Sequence, residues 1–350
     1  MLPITHVIPL TTVRREASLP AAGTVTARVN EKVQAGDVLA QAEPPARHYL
    51  LDMPRALGIP EKDASRHLRR QPGERVDSGD ILAGPVGLGR RTLRAPAAGQ
   101  VVGVDAGRIL FEAHGDTVSL KAGYAGIVVA TDGVQSVTLE ATAALIQAVW
   151  GNGRQDHGVL RVAGGGATER LRTEDFDINL RGAVLVAGIC VHTAPLHQAT
   201  ELSCRGLILG GLASDLIPVV RRLPYPVLVI EGFGDVPMNS AAYALLSGNA
   251  GREASLDGRV GGLYSTQRPE VIIPQTTNRQ VSLPDEVVPL QPGVRVRAVQ
   301  APYQGLVGVV REVLMRAVAY PSGILARSAR VDLEGLGPVN VPLANLEILQ

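Results

Sequence analysis

Aromatic side chains are scarce in this chain: Phe, Trp and Tyr together make up 3% of its 350 residues. A large helical bundle pinned by aromatic anchors is a poor fit to that composition, and small turn-rich β modules fit it better. Cysteine is limited to Cys190 and Cys204, both in apolar surroundings. That pattern supports no disulfide framework and points to a reducing compartment, here the cytoplasm. Lysine occurs only as Lys32, Lys62 and Lys121; the other basic side chains are arginine, which reads as compositional bias. The formal net charge is +1, so no global field is directed at nucleic acid or at an acidic membrane. No apolar run approaches the roughly 18 residues that span a bilayer. The opening Met1-Leu-Pro-Ile has no basic stretch followed by an apolar one, so no signal peptide and no membrane partner are expected.

Chemical signatures are also few. Gly164-Gly165-Gly166-Ala-Thr168 offers backbone amides that could form a phosphate nest. It lacks both G-x-G-x-x-G and a Walker lysine, and it reads as a flexible turn. Cys190-Val-His192, with His197 after it, suggests a metal site or an activated thiol. Zinc needs three or four ligands, and no second Cys/His cluster accompanies this one. Both cysteines are read as buried and inert. No metal, no cofactor and no catalytic residue is expected.

What is abundant is turn chemistry: 39 Gly and 24 Pro. At 350 residues the chain exceeds one ordinary core, so two or three domains are expected. Pro20-Ala-Ala-Gly23-Thr-Val25 returns as Pro96-Ala-Ala-Gly99-Gln-Val101. Val33-x-x-Gly36-Asp37-Val-Leu39-Ala40 returns as Val76-x-x-Gly79-Asp80-Ile-Leu82-Ala83. Short β-branched runs broken by Gly-Asp spell strand–turn–strand, because Gly supplies positive φ and Asp closes the turn with its side chain. The duplication predicts two interlocked half-barrels over residues 19–43 and 73–113. Between them, Met53, Leu57, Ala64 and Leu68 follow helical spacing and predict a short helical insertion over 52–70.

Residues 117–150 alternate as strands. The glycine-rich stretch 147–166 is taken as a domain boundary. Beyond it the pattern changes type. Continuous apolar runs at 183–187, 206–209 and 226–230 alternate with helical stretches at 194–202, 214–222 and 238–246, which predicts a parallel sheet with helical crossovers. Residues 248–267 are turn-rich, 270–273 form a short strand, and 278–290 read as a linker. From Pro292 onward short strands return. The expected architecture is therefore mixed: an all-β domain over 1–150, a small α/β domain over 151–275, and a linker with a closed β module over 276–350.

On Pro20-Ala-Ala-Gly23, Gly36-Asp37, Gly79-Asp80 and Pro96-Ala-Ala-Gly99, residues 14–113 resemble the barrel-sandwich hybrid of biotinyl and lipoyl carrier domains. Such domains present a lysine on the hairpin after the first half. Here that stretch is Glu43-Pro44-Pro45-Ala46-Arg47, so the resemblance implies the fold and not the carrier role. Non-carrier versions with insertions between the halves serve as scaffolds in larger assemblies. Pro292-Gly293-Val294-Arg295-Val296, followed by Tyr303-Gln-Gly305-Leu-Val-Gly308-Val-Val310, resembles the KOW-type SH3-like barrel of transcription and ribosomal proteins. Leu207-Ile-Leu-Gly-Gly211 and Val227-Leu-Val-Ile-Glu231-Gly are similar in layout to DRTGG-type regulatory domains, without a DRTGG string. The whole chain resembles bacterial proteins that end in a KOW module.

Two sets of residues are candidate binding groups. In open parallel sheets, ligands sit beyond the carboxyl ends of strands. Gly210, Gly211, Glu231, Gly232 and Gly234 are placed there, and a carboxylate beside exposed amides could orient a small ligand. The plainer reading is a tight turn with an exposed acid. Arg295, Arg297, Arg311, Arg316 and Arg327 concentrate in the C-terminal module and could meet an RNA backbone. Only Tyr303 and Tyr320 offer stacking surfaces there, fewer than single-strand readers use. The function expected is a non-catalytic scaffold in contact with other protein subunits, copies of itself included. The alternatives are a small-molecule regulator or enzyme using the α/β cleft, and an RNA- or transcription-complex-binding protein.

Overall fold

Apolar–polar alternation governs the first half of the chain, and the strands follow it. In β2 (Val7–Ser18) the buried positions include Val7, Thr11 and Val13, on the face turned to the core. A computed structural model describes residues 2–43, 45–87, 89–115, 117–262, 267–277, 281–285 and 287–350. Parts of the 43–47 and 84–91 loops, of the turn-rich 248–267 stretch and of the 278–290 linker thus lie outside the described residues. The protein is mostly β, in several sheets. No helix among the described residues is long and apolar enough to cross a membrane.

In chain order the elements begin with β1 (Ile4–Thr5), β2, β3 (Thr24–Val25), β4 (Lys32–Val33), β5 (Val38–Ala42) and β6 (Arg47–Asp52). Helices α1 (Met53–Leu57) and α2 (Glu61–Ala64) follow, then β7 (Arg75–Val76), β8 (Ile81–Val86), β9 (Arg91–Arg94), β10 (Gly99–Asp105) and β11 (Arg108–Ala113). Next come β12 (Val118–Lys121), β13 (Gly126–Thr131) and β14 (Ser136–Gln147). Asp52 caps α1 by accepting from Arg55 N at 2.9 Å, and Gly58 ends it in the left-handed region.

The two Gly-Asp turns share their hydrogen bonds, although only Gly79 (φ 86), and not Gly36, has positive φ. Asp37 N donates to Gln34 O at 3.1 Å while its carboxylate accepts from Gln34 N; Asp80 and Asp77 repeat both bonds. The likeness extends upstream. Glu31 N bonds Arg28 O and Glu74 N bonds Gln71 O, with Asn30 (φ 71) and Gly73 (φ 89) at the matching left-handed position.

The copies do not interlock, which corrects the half-barrel expectation. Among the described residues no strand of 20–42 pairs with one of 73–113. Each Gly-Asp copy instead finds its own partners in the same register. Val33 lies opposite Gly126 as Val76 lies opposite Gly99. Ala40 meets Leu120 as Ala83 meets Leu93. Val128 meets Leu139, then the register shifts by a bulge; Val101 meets Phe111, and the same shift follows. Arg14 opposes Glu140 as His48 opposes Glu112. The result is two complete six-strand units, β2-β4-β5-β12-β13-β14 and β6-β7-β8-β9-β10-β11. The second is inserted whole between β5 and β12 of the first. Pro96-Ala-Ala-Gly99 corresponds in space to residues 123–126, and Pro20-Ala-Ala-Gly23 is a look-alike elsewhere. Each unit has its own core, Val13, Val33, Leu39, Val128 and Leu139 in the outer copy, Val76, Leu82, Val101, Ile109 and Phe111 in the inner.

The outer copy runs on into the middle of the chain. The elements there are β15 (Trp150–Gly151), β16 (Gln155–Val162), β17 (Val184–Cys190), α3 (Thr193–Glu201), β18 (Gly206–Leu212), α4 (Ile217–Val220), β19 (Val227–Phe233), α5 (Ser240–Gly248), β20 (Glu253–Asp257) and β21 (Glu270–Pro274). β17, β18 and β19 are parallel, joined by helical crossovers. β16 pairs parallel with β17 through residues 160–162 and antiparallel with β20 through 155–159. β21 then bridges β20 to β14. One eleven-stranded sheet thus passes through the glycine-rich stretch. It is covered on both faces, so β17 and β18 are buried at every position.

The last elements are β22 (Arg295–Ala298), β23 (Val307–Val313), β24 (Val318–Ala319), β25 (Leu325–Ala326), β26 (Ser328–Leu333), β27 (Gly337–Pro342) and β28 (Leu346–Leu349). β24 and β25 pair with each other; the rest form a sheet in the order β1-β28-β22-β23-β26-β27, so the N-terminal strand completes the C-terminal module, parallel to β28. Val307 and Leu349 reach back into the core under α5.

Candidate functional site

The crevice beyond the parallel strands is filled by the chain itself. Gly210 and Gly211 lie within β18 rather than at its end. A Cβ on Gly210 would come within 2.3 Å of Met238 N, and one on Gly211 within 2.5 Å of Val236 O. Glycine is needed at both so that segment 234–238 can lie against the strand. The triple-glycine loop closes the other side: Met238 N donates to Ala167 O at 3.2 Å, and Ile189 N to Glu169 O at 2.9 Å. Gly232 lies in β19, and Gly234 N donates to Leu212 O.

Glu231 is not an exposed acid. Its side chain is 1% exposed and lies in a buried polar cluster. One oxygen accepts from Asn239 N at 3.0 Å and from the Asn239 side-chain amide, whose own Oδ1 caps α5 through Ala242 N. The other accepts from Arg297 Nη1 at 3.0 Å. Arg297 is itself 2% exposed. It also donates to Ile230 O at 3.2 Å and, through Nη2, to Glu347 Oε2 at 2.5 Å. Arg297 and Glu347 are direct cross-strand partners on β22 and β28. Glu347 Oε1 accepts from Thr5 Oγ1 and from Arg268 Nη1, the latter at 2.8 Å. Two guanidiniums thus balance two carboxylates. Burial alone would push the Glu347 pKa up, but Arg297, Thr5 and Arg268 hold it below its ordinary value. Burial likewise opposes the Arg297 charge, and Glu231 and Glu347 outweigh it.

The cluster ties the N-terminal strand, the end of β19, the approach to β21 and the C-terminal sheet together at one point. Of the two predicted sets, the structure joins only Glu231 with Arg297, and it joins them to each other. Arg311 pairs with Asp332 on the surface. Arg295, Arg316 and Arg327 are exposed and apart from the cluster. Cys190 and Cys204 are buried, and burial pushes each thiol up to about 11. Cys190 donates to its neighbour His192 O rather than to an imidazole. Among the described residues no group of three or more His, Cys, Asp or Glu could hold a metal ion.

The residues that local spelling did not single out line a cavity of about 360 Å³ between the outer copy and β16, β20 and β21. Three ion pairs frame it: Arg15–Glu270 at 2.7 Å, Arg259–Asp257 at 2.7 Å and Arg205–Asp156 at 2.6 Å. Tyr124 donates its phenol to Leu139 O at 3.2 Å, and burial pushes its pKa well up. Lys121 is exposed at the cavity and has no ion-pair partner among the described residues. Arg15 and Glu270 are far apart in sequence, so only the closed sheet brings them together. No family model matches this chain, and no curated protein matches it.

Proposed function

We propose that this chain is a non-catalytic scaffold, a set of β-rich modules joined into one body that contacts other protein subunits, copies of itself included. In this reading the nested units are barrel-sandwich hybrids without a lysine at the carrier hairpin, and the C-terminal sheet is an SH3-like barrel of KOW type. A small α/β unit lies between them, and the protein is cytoplasmic. The observation that carries it is the buried Arg297 cluster. The convergent charged groups at the module junction are bonded to one another, which suits holding modules together rather than turning over a substrate. Purification at native size tests it. A high-mass particle, or defined subunits co-migrating with the chain, is the expected result. A lone monomer carrying a metabolite would overturn it.

A second reading is small-molecule binding in the cavity at Lys121, favoured by that unpaired cation beside three ion pairs. Native mass spectrometry of wild type and Lys121→Ala tests it: a retained small molecule, lost in the variant, is expected. The RNA reading rests on Arg295, Arg316 and Arg327 alone, and binding insensitive to salt would remove it.

A further inference from the structure

The two nested copies share strands and register but differ at one edge. β2 and β6 are equivalent edge strands, each paired to its sheet through β14 or β11. Exposed sheet edges recruit other strands unless they are covered or charged. The β2 edge is guarded in both ways. Segment 281–282 lies along it, with Thr12 N donating to Ser282 O at 3.1 Å and Thr11 Oγ1 to the same oxygen at 2.9 Å. The rest of that edge carries Arg14, Arg15 and Glu16. The equivalent residues of β6 are His48, Tyr49 and Leu50.

β6 is uncovered among the described residues, and its charged residues, Arg47 and Asp52, stand at its ends. It pairs with β11 alone, in unbroken register over its full length, with no proline, lysine or bulge. Leu50 is 64% exposed, and beside it on the same face lie Leu110 at 38% and the bulge residue Val102 at 42%. The outer copy has Glu16 and Thr138 where the inner has Leu50 and Leu110. The apolar character is thus particular to the inner copy's outer face.

We infer that β6 pairs antiparallel with β6 of a second copy of this chain, joining the two inner sheets across a two-fold axis. The occupant follows from the strand's own chemistry. A two-fold axis perpendicular to the sheet at Leu50 sets each Leu50 against its counterpart. It sets His48 opposite Asp52 twice over, and Tyr49 opposite Leu51. Apolar pairs directly across strands stabilise such a ladder. Within the chain His48 Nε2 meets Glu112 Oε2 at 3.2 Å and Asp52 Oδ1 caps α1, so His48 Nδ1 and Asp52 Oδ2 are the atoms left for the facing strand. A second copy therefore satisfies the edge and the apolar face together.

This inference rests on the scaffold reading and specifies one of its contacts. Sedimentation equilibrium of the full chain tests it, with Leu50→Asp and Leu50→Lys made separately. Wild type is expected to be dimeric. Each variant alone is expected to be at least tenfold weaker in association, with a melting midpoint equal to that of wild type diluted to the monomer, and an equimolar mixture should recover the dimer as a mixed pair. Wild-type chain that stays monomeric over the accessible concentrations, or variants that dimerise as wild type does, would overturn it. If the chain is monomeric yet co-purifies with other subunits, this inference falls and the scaffold reading stands. A monomer without subunits removes both.

Discussion

The outer and inner copies follow one plan and meet different fates. Both carry a Gly-Asp turn with the same hydrogen bonds, the same bulge and the same pairing order. In the outer copy β2 and β14 run on for 12 residues each, whereas β6 and β11 have six. The extra length of β14 changes its burial from alternating at 137–139 to continuous at 143–146, because β21 and the parallel sheet cover it on both sides. The inner copy stops short, keeps a separate core and leaves its outer face to solvent. Strand length beyond the shared plan therefore decides which copy is built into the body.

That contrast can be broken most strongly at the junction. Arg297→Met leaves Glu231 buried without a cation and Glu347 with Arg268 alone, and should cost about 3–5 kcal/mol. Hydrogen exchange should rise in β1, β19, β22 and β28 and stay unchanged in β6 to β11; a uniform rise would mean the inner copy is not independent. Next come the matched core positions. Phe111→Ala in the inner copy should cost about 3–5 kcal/mol and Leu139→Ala in the outer about 2–5 kcal/mol. In calorimetry the first should shift only a minor inner-copy transition and the second the main one.

Acid should separate the regions more gently. The Glu347 pKa is lower in the folded chain than its ordinary 4.5. Its stabilising contribution is therefore complete above about pH 4.5 and is lost as pH falls through the folded value. Glu347→Gln should destabilise at neutral pH and flatten the acid limb of denaturant midpoints measured between pH 3 and 7. The smallest effect is expected for Arg311→Ala, which removes an exposed pair and should change stability by about 0–1 kcal/mol. Set beside Arg297→Met, it measures what burial does to an arginine–carboxylate pair in one module.

Much of the local structure was legible. The Gly36-Asp37 and Gly79-Asp80 turns form where they are spelled, closed by the aspartates, with the expected positive φ at Gly79 and not at Gly36, and the three apolar runs after residue 183 are parallel strands. Those signals lie within a few residues of their effects. The interlocking of the repeats was misread because Pro20-Ala-Ala-Gly23 matches Pro96-Ala-Ala-Gly99 by letter. The true counterpart, 123–126, keeps only the final Ala-Gly, whose glycine lets neighbouring strands approach. Glu231 and Arg297 were each noticed for a separate role, and nothing local in either segment announces that they meet.

The linear order of residues determined the turns, the strand periods and the inert surroundings of the cysteines, since these depend on neighbours within a few positions. Only tertiary structure decided which glycine motif pairs with which strand, which arginine is buried, and that the first strand completes the last sheet. Those outcomes depend on contacts between residues hundreds of positions apart, such as Thr5 with Glu347, which arise when the sheets close and water leaves the junction.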